Sequence, residues 1–242
     1  AFGFSDHYIL HPRGTPPNWS LPVERVGAYA EEVLSFRDQE DISVLLGLEV
    51  DWFEDHGDAI KEALKELPLD FIIGGVHFVG DMPVDSRPED WEGLTREEIN
   101  QAYRGYWRLV RGMVESRIFQ IAAHLDLPKK FGILPSEDMT PMIHEVLDAM
   151  AVSGMVLELN TSGWYRPCRE CYPSPDILRE ALKRHIPVMP ASDAHHPDHL
   201  LRAFGRAAML LRDLGYTRIA QVNRGKIVMV PLEDAMDLPR DL

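Results

Sequence analysis

The sequence predicts a parallel α/β fold, a sheet or barrel, from three observations. Short apolar runs typical of buried strands alternate six times with segments of helical periodicity. The connections are short, and no linker, low-complexity tract or repeat of roughly 20–50 residues interrupts the chain. Polar residues follow at the point where several apolar runs stop. We therefore predict one domain over residues 1–242.

The predicted strands are almost wholly apolar, as expected for parallel strands that are covered on both faces. After a strand end at 1–4, they lie at 43–50, 71–76, 119–123, 155–159 and 186–189. Helical spacing of apolar residues predicts helices at 23–36, 59–67, 99–113, 139–150, 177–182 and 200–214. Residues 8–22 and 81–93 are predicted loops, and 218–230 is typical of a β-hairpin turning at 223–225.

Composition narrows the functional classes. The net charge is −14, from 25 basic and 39 acidic residues, which argues against non-specific nucleic-acid binding. No apolar run is long enough to span a bilayer, so we predict no membrane partner. Two cysteines are too few for a disulfide scaffold, and we predict a cytoplasmic protein. Cys168 and Cys171 have C-x-x-C spacing, but without a second pair this is weak evidence for zinc.

The segment at 190–197 carries the clearest signal for chemistry. Asp193 and His195 are two residues apart after an apolar run, so an extended chain places both on the same side. A carboxylate and an imidazole in this arrangement suit a divalent metal. The competing interpretation is a helix cap formed by Ser192 or Asp193, with solvated histidines.

Other polar residues favour the metal interpretation because they also stand at strand ends. The carboxyl ends of all strands in a parallel barrel open onto one face. A carboxylate such as Glu49 is costly to bury unpaired, and a metal ion would remove that cost. The candidate ligands at these positions are His7, Glu49, His77, His124, Asp193 and His195.

Several motifs occur in order along the chain and resemble those of the PHP family, and within it the monofunctional histidinol-phosphatase branch. They are Ser5-Asp6-His7, the runs 47–51, 74–77 and 123–131, Asn160-Thr161-Ser162-Gly163, and Ser192-Asp193-Ala194-His195. The resemblance covers nearly the whole chain. It implies a distorted (β/α)7 TIM-like barrel that holds up to three divalent metal ions, which would be zinc, manganese or iron.

The resemblance also implies roles for individual residues. Glu49 would bridge two metals and Asp193 would ligate the first, which makes these two the catalytic residues. His77 and His124 would ligate the second metal, while His7 and His195 would ligate the third. The implied reaction is hydrolysis of L-histidinol phosphate in histidine biosynthesis, by attack of a metal-bound hydroxide on phosphorus.

The sequence departs from the family pattern at its beginning. The family opens with a strand that carries His-x-His, and this chain contains no His-x-His. We therefore expect the first strand and helix of the barrel to be absent here. On that expectation the first and third metals lack ligands, and this exact chain is not fully active.

A phosphate ester also needs cations or amides beside the metals. Arg166 and Lys129 follow predicted strand ends and are candidate substrate-binding residues, although both could be solvated surface charges. Asn160 could bind the substrate or brace a metal ligand.

Three alternatives to the leading function stay open. They are another PHP-type phosphoesterase or exonuclease module, an amidohydrolase-like C–N hydrolase, and a degenerate metal-binding barrel without activity. The acidic charge counts against the exonuclease. Amidohydrolase barrels usually bridge their metals with a modified lysine, whereas the bridging position here is Glu49. We predict a small-molecule phosphate ester as the partner, and the sequence leaves a homo-oligomer open.

Overall fold

The computed structural model describes residues 2–14, 16–37, 43–223 and 225–235. These described residues contain ten strands in chain order: β1 (Phe2–Tyr8), β2 (Val44–Asp51), β3 (Phe71–Gly75), β4 (Phe78–Val79), β5 (Met82–Pro83), β6 (Ile121–Ala122), β7 (Val156–Asn160), β8 (Val188–Ala191), β9 (Arg218–Asn223) and β10 (Lys226–Pro231). Six of them form one parallel sheet in the order β1-β2-β3-β6-β7-β8. This confirms the predicted parallel α/β architecture.

The helices follow the strands in the alternation that the sequence predicts. They are α1 (Val26–Ser35), α2 (Gly57–Leu64), α3 (Arg96–Ser116), α4 (Thr140–Ser153), α5 (Pro175–Lys183) and α6 (Phe204–Leu214). Helix α3 begins at a capping box, in which the Thr95 hydroxyl accepts from the Glu98 amide and the Glu98 carboxylate accepts from the Thr95 amide. Crossover helices of this kind hold neighbouring strands parallel.

The two faces of β2 show how the sheet positions polar groups. Leu48 and Val50 belong to the main core, which also contains Val110 and Met113 of α3. Leu45 belongs to a second apolar cluster on the other face. Because side chains alternate along a strand, Glu49 projects to the same face as Leu45.

The hairpin of β9 and β10 packs on that second face. Ala220 and Val222 lie in the same apolar cluster as Leu45, Ile73 and Ile121, near the amino ends of the sheet strands. The apolar half of this face is thereby covered. The polar residues lie toward the carboxyl ends of the same strands.

Several element boundaries differ from the predicted ones. Strand β1 runs on to Tyr8, so His7 lies inside a strand rather than after it. Helix α6 begins only at Phe204, because Leu201 and Ala203 have φ angles of 59° and 60°, outside the helical region.

The loops also contain more local structure than the sequence predicts. The predicted loop at 81–93 includes β5 and a short 3-10 helix at Pro88–Trp91. The predicted hairpin of the tail is present, although its turn residue Arg224 lies outside the described residues. Within the described parts of the chain, no helix is both long enough and apolar enough to cross a membrane.

Candidate metal and phosphate site

The strand-end histidines meet around Glu49. Its Oε1 lies 2.9 Å from Nε2 of His124, 3.5 Å from Nε2 of His77 and 4.0 Å from Nδ1 of His7. Strand register explains the position of His7, because His7 pairs with Glu49 across β1 and β2. A Cβ atom on Gly75 would lie 3.1 Å from the Glu49 carboxylate, so glycine leaves room for this cluster. The four side chains form the floor of the site.

The charges of this floor are strongly coupled. Burial disfavours the ionised carboxylate, but nearby imidazoles, led by His7 and His124, outweigh it and hold the pKa of Glu49 well below its ordinary value. Burial likewise opposes protonation of His77, yet the adjacent Asp51 outweighs it and raises the pKa of His77 to about 10. The floor therefore carries an ionised carboxylate beside His77, while burial lowers the pKa of His7 and favours its neutral form.

Asp51 orients His77 from behind. Oδ1 of Asp51 lies 2.5 Å from Nδ1 of His77, and both side chains are buried. This contact leaves Nε2 of His77 directed toward Glu49. A carboxylate behind a histidine ring is the usual support for a histidine that ligates a metal.

Asp193 and His195 complete the group from the end of β8. Oδ2 of Asp193 accepts hydrogen bonds from Nδ2 of Asn160 and Oγ of Ser162, each at 3.2 Å. Asp193 has a φ of 50°, a left-handed conformation that aspartate tolerates better than most residues. The ring of His195 lies 5.7 Å from that of His7, centroid to centroid. All six predicted ligands thus lie at one end of the sheet.

A cavity of about 290 Å³ opens above this floor. The charged residues along its walls include Asp85, Lys130 and Arg166, and its aromatic residues are Trp19 and Tyr172. Nζ of Lys130 lies 2.9 Å from Oδ2 of Asp85, while Arg166 is exposed. The cavity combines histidine and carboxylate groups with two cations that a phosphate could contact.

Comparison with known proteins identifies the family. The sequence profile of the PHP domain matches residues 1–162, about two thirds of the chain. The chain belongs to the PHP family. A Deinococcus radiodurans protein named "Probable histidinol-phosphatase" is 34% identical over 214 residues, which are 88% of this chain and 81% of that protein.

Two solved structures share the fold. The crystal structure of histidinol phosphate phosphatase from Lactococcus lactis, complexed with zinc, L-histidinol and phosphate, has a TM-score of 0.72 at 21% identity. The match covers 93% of this chain and 86% of that chain. A structure described as the putative histidinol phosphatase of Listeria monocytogenes has a TM-score of 0.74 at 21% identity, covering 84% of this chain and 87% of that one. The described part of the sheet corresponds to a curled half-barrel of the PHP type, consistent with the predicted TIM-like fold.

The residues of this PHP chain fit a divalent metal ion. Potential ligand atoms of His7, Glu49 and His77 all lie within 4.8 Å of one another. Nδ1 of His7 and Nδ1 of His124 are buried and have no hydrogen-bond partner within the described structure. Buried polar atoms are rarely left unpaired, and imidazole with carboxylate is a donor set that zinc and similar ions accept.

Lys129 occupies a different position from the one predicted. Its Nζ lies 2.8 Å from Oδ2 of Asp126 and 2.6 Å from Oε2 of Glu170, and donates to the Cys171 carbonyl at 2.8 Å. The side chain is buried, and Lys130 rather than Lys129 lines the cavity. These contacts give no support to substrate binding by Lys129, because its amine is already fully engaged.

The other two predicted substrate residues differ in exposure. Arg166 is exposed at the cavity wall, where a phosphate could reach it. Asn160 is fully buried, and its side chain braces Asp193 and accepts from the Ser162 amide at 2.9 Å. The alternative role proposed from the sequence, bracing of a metal ligand, describes the contacts of Asn160 better than substrate binding does.

Sequence reasoning missed Glu158, a buried carboxylate behind the site. Its Oε2 accepts from the His124 amide at 2.7 Å and from Nδ2 of Asn160 at 3.2 Å. Burial raises the pKa of Glu158 to about 7. A signal was present, because Glu158 interrupts an apolar strand as Glu49 does. Asp51 was detectable in the same way, since it lies two residues beyond Glu49 on the same face.

The cysteines of the C-x-x-C motif are free thiols. Sγ of the buried Cys171 contacts the Pro173 carbonyl at 3.2 Å, and Sγ of Cys168 contacts the Gly163 carbonyl at 3.5 Å. Among the described residues, the group able to hold a metal contains neither cysteine.

Proposed function

We propose that this protein is a metal-dependent phosphomonoesterase that hydrolyses L-histidinol phosphate to L-histidinol and phosphate. The observation that carries the proposal is the cluster of His7, Glu49, His77 and His124 at the floor of a cavity with Lys130 and Arg166 in its walls. Support comes from the histidinol-phosphatase name of the Deinococcus radiodurans relative and from the zinc, L-histidinol and phosphate bound to the Lactococcus lactis protein.

The floor residues would hold the metal ions. Glu49 would bridge two ions, with His77 and His124 on one and Asp193 on the other, while His7 and His195 would hold a third. Bound divalent ions would neutralise a phosphate dianion and make a water molecule acidic enough to supply hydroxide at neutral pH. Zinc, manganese and iron all accept this donor set.

The remaining residues would bind and orient the substrate. Arg166 and Lys130 would donate charge-assisted hydrogen bonds to phosphate oxygens. Asn160 and Ser162 hold the Asp193 carboxylate in place, and Asp51 holds the His77 ring. In the net reaction, water adds to phosphorus, the bond from phosphorus to the substrate oxygen breaks, and that oxygen takes a proton.

Finer features belong to the same proposal. We infer a cytoplasmic enzyme whose partner is a small-molecule phosphate ester, with no nucleic acid or membrane as partner. The net charge of −14 supports the exclusion of nucleic acid, since it would repel the phosphate backbone.

The test is phosphate release by the full-length protein, stripped with a chelator and reloaded with Zn²⁺, Mn²⁺ or Fe²⁺ separately. We expect turnover of L-histidinol phosphate that depends on the added metal and exceeds turnover of p-nitrophenyl phosphate. Single-stranded DNA and a cyclic amide are the comparison substrates. Preferential cleavage of DNA would favour the exonuclease alternative, and cleavage of the amide would favour the amidohydrolase alternative. Metal binding without turnover would favour a non-enzymatic barrel.

A further inference from the structure

Trp19 presents an aromatic surface to the cavity. It lies on the loop between β1 and α1, and its ring centroid is 4.8 Å from that of His7 and 5.7 Å from that of His77. Trp19 is 41% exposed, whereas Tyr172, the other aromatic side chain apart from histidines among the described cavity residues, is 1% exposed. Trp19 is therefore the ring with substantial surface available to a bound molecule.

Aromatic packing holds the indole in position. Phe78 of β4 lies parallel to it, with an interplanar angle of 3° and centroids 6.4 Å apart. Phe53, which follows β2, stacks on Phe78 at 6.2 Å. Because the three rings come from three separate segments, the tertiary structure fixes the orientation of Trp19. Aromatic pairs of this kind contribute about 0.5–1.5 kcal/mol each beyond the area they bury.

Hydrogen bonds attach the Trp19 loop to the strand that supplies His7. The Leu21 amide donates to the His7 carbonyl at 2.7 Å, and Oγ of Ser20 accepts from the Ile9 amide at 2.9 Å. Ser20 is buried. The two residues that follow Trp19 are thus tied to the segment that carries His7, and binding to the indole would require little ordering of this part of the loop.

The phosphate and the imidazole ring of the substrate need different binding partners. The phosphate of L-histidinol phosphate needs positive charge, which Arg166, Lys130 and bound metal ions would provide. The imidazole ring is flat and favours an aromatic partner in stacked or edge-to-face geometry. We propose that Trp19 binds the imidazole ring of the substrate and so determines specificity for ring-bearing phosphate esters. This inference rests on the proposed function.

The experiment compares two substrates in the metal-loaded, full-length protein. L-histidinol phosphate carries the ring, and phosphoethanolamine carries an amine and a phosphate monoester without a ring. For Trp19→Ala we expect kcat/KM on L-histidinol phosphate to fall about tenfold, mainly through KM, because the lost contact resembles an aromatic pair. We expect kcat/KM on phosphoethanolamine to change less than about twofold, and Trp19→Phe to retain most of the preference.

Two controls separate this role from a structural one. Phe36 is 40% exposed and does not line the cavity, so Phe36→Ala should leave the ratio of the two kcat/KM values unchanged. Metal content should be equal in Trp19→Ala and the unaltered protein. An equal loss on both substrates, or no loss on either, would overturn the role of Trp19. If the unaltered protein fails to hydrolyse L-histidinol phosphate, the proposed function itself is overturned and the Trp19 inference with it.

Discussion

The buried charge cluster around Glu49 and the one around Lys129 differ in how their nitrogen atoms are paired. Nζ of Lys129 has three oxygen partners within 2.8 Å, from Asp126, Glu170 and Cys171. In the Glu49 cluster the buried Nδ1 atoms of His7 and His124 lack a partner within the described structure, whereas in the Lys129 cluster the unpaired buried atom is a carboxylate oxygen, Oδ1 of Asp126. The Glu49 cluster also faces the cavity, and Lys129 does not.

The difference separates a structural ion cluster from a binding site. A buried lysine with all its donors engaged holds its own segments together, here the turn after β6 and the segment that precedes α5. Burying a histidine nitrogen without a hydrogen-bond partner costs free energy unless a ligand binds to that nitrogen. The same distinction applies to adjacent residues, since Lys130 lines the cavity and Lys129 does not.

The largest expected effect is that of Glu49→Gln. The amide keeps the size of the side chain but removes the charge that would bridge two ions. Several kcal/mol of transition-state stabilisation depend on those ions, so we expect turnover of L-histidinol phosphate to fall on the order of 10³-fold. The measurements are phosphate release, metal content and thermal unfolding, with the fold retained. Full metal occupancy with near-normal turnover would contradict the bridging role.

Lys129→Met should act on stability instead of on the chemistry. Removing the amine leaves Asp126 buried without its cation, and we expect a loss of about 3 kcal/mol in the free energy of unfolding. The matched control is Lys130→Met, which should raise KM and change stability less. If Lys129→Met raises KM and leaves unfolding unchanged, Lys129 belongs to the substrate site after all.

The pH dependence of the same variant gives a second check. Burial disfavours the charged amine, but Asp126 outweighs it and raises the pKa of Lys129 above its ordinary value of 10.5. A folded-state pKa above the unfolded one means that the stabilisation is fully present below about pH 10.5 and is lost at higher pH. On the alkaline side, the stability difference between the unaltered protein and Lys129→Met should therefore shrink as the pH rises above that value.

Asp51→Asn tests the support behind His77. The amide cannot hold the ring with the same charge, and loss of such a partner typically lowers metal affinity or activity about 10- to 100-fold. Metal titration and phosphate release would measure the effect. Asp90→Asn offers a control carboxylate, since Asp90 pairs with the exposed Arg87 and lies outside the cavity lining. If metal affinity and activity are the same in Asp51→Asn and Asp90→Asn, Asp51 does not have the supporting role.

Arg166→Ala should produce a smaller and more selective change. An exposed arginine contributes little to folding, so unfolding should shift by less than about 1 kcal/mol. Loss of a charge-assisted hydrogen bond to phosphate should raise KM about tenfold. Steady-state kinetics with L-histidinol phosphate measure the change in KM. An unchanged KM would show that Arg166 is a solvated surface residue without a role in substrate binding.

The smallest effect is expected for the double variant Cys168→Ser and Cys171→Ser. Both thiols contact backbone carbonyls and no predicted ligand, and serine keeps a small side chain with a hydrogen-bond donor at each position. Metal content and turnover should remain within about twofold, because the predicted ligands lie elsewhere. A loss of about one zinc ion per chain, measured by elemental analysis, would reveal a second metal site.

Much of the fold could be predicted from local patterns. Apolar runs of strand length and helical periodicity identify the six parallel strands and the helices between them. Parallel strands bring their carboxyl ends to one side, so the polar residues that follow them converge. The six predicted ligands could therefore be named before their distances were known. Glu158 and Asp51 are also polar residues in apolar strands, so the same reasoning from side-chain alternation could have identified them.

The loops and neighbouring side chains depend on the tertiary structure. Nothing in the adjacent Lys129 and Lys130 predicts which one lines the cavity, because a short 3-10 helix after β6 turns them in different directions. Trp19 lies in a proline-rich loop without periodicity, and its place beside His7 depends on packing against Phe78. Alternation along a strand specifies which face a side chain occupies. Which loop covers that face depends on contacts between segments that are distant in sequence. Local sequence patterns do not predict those contacts.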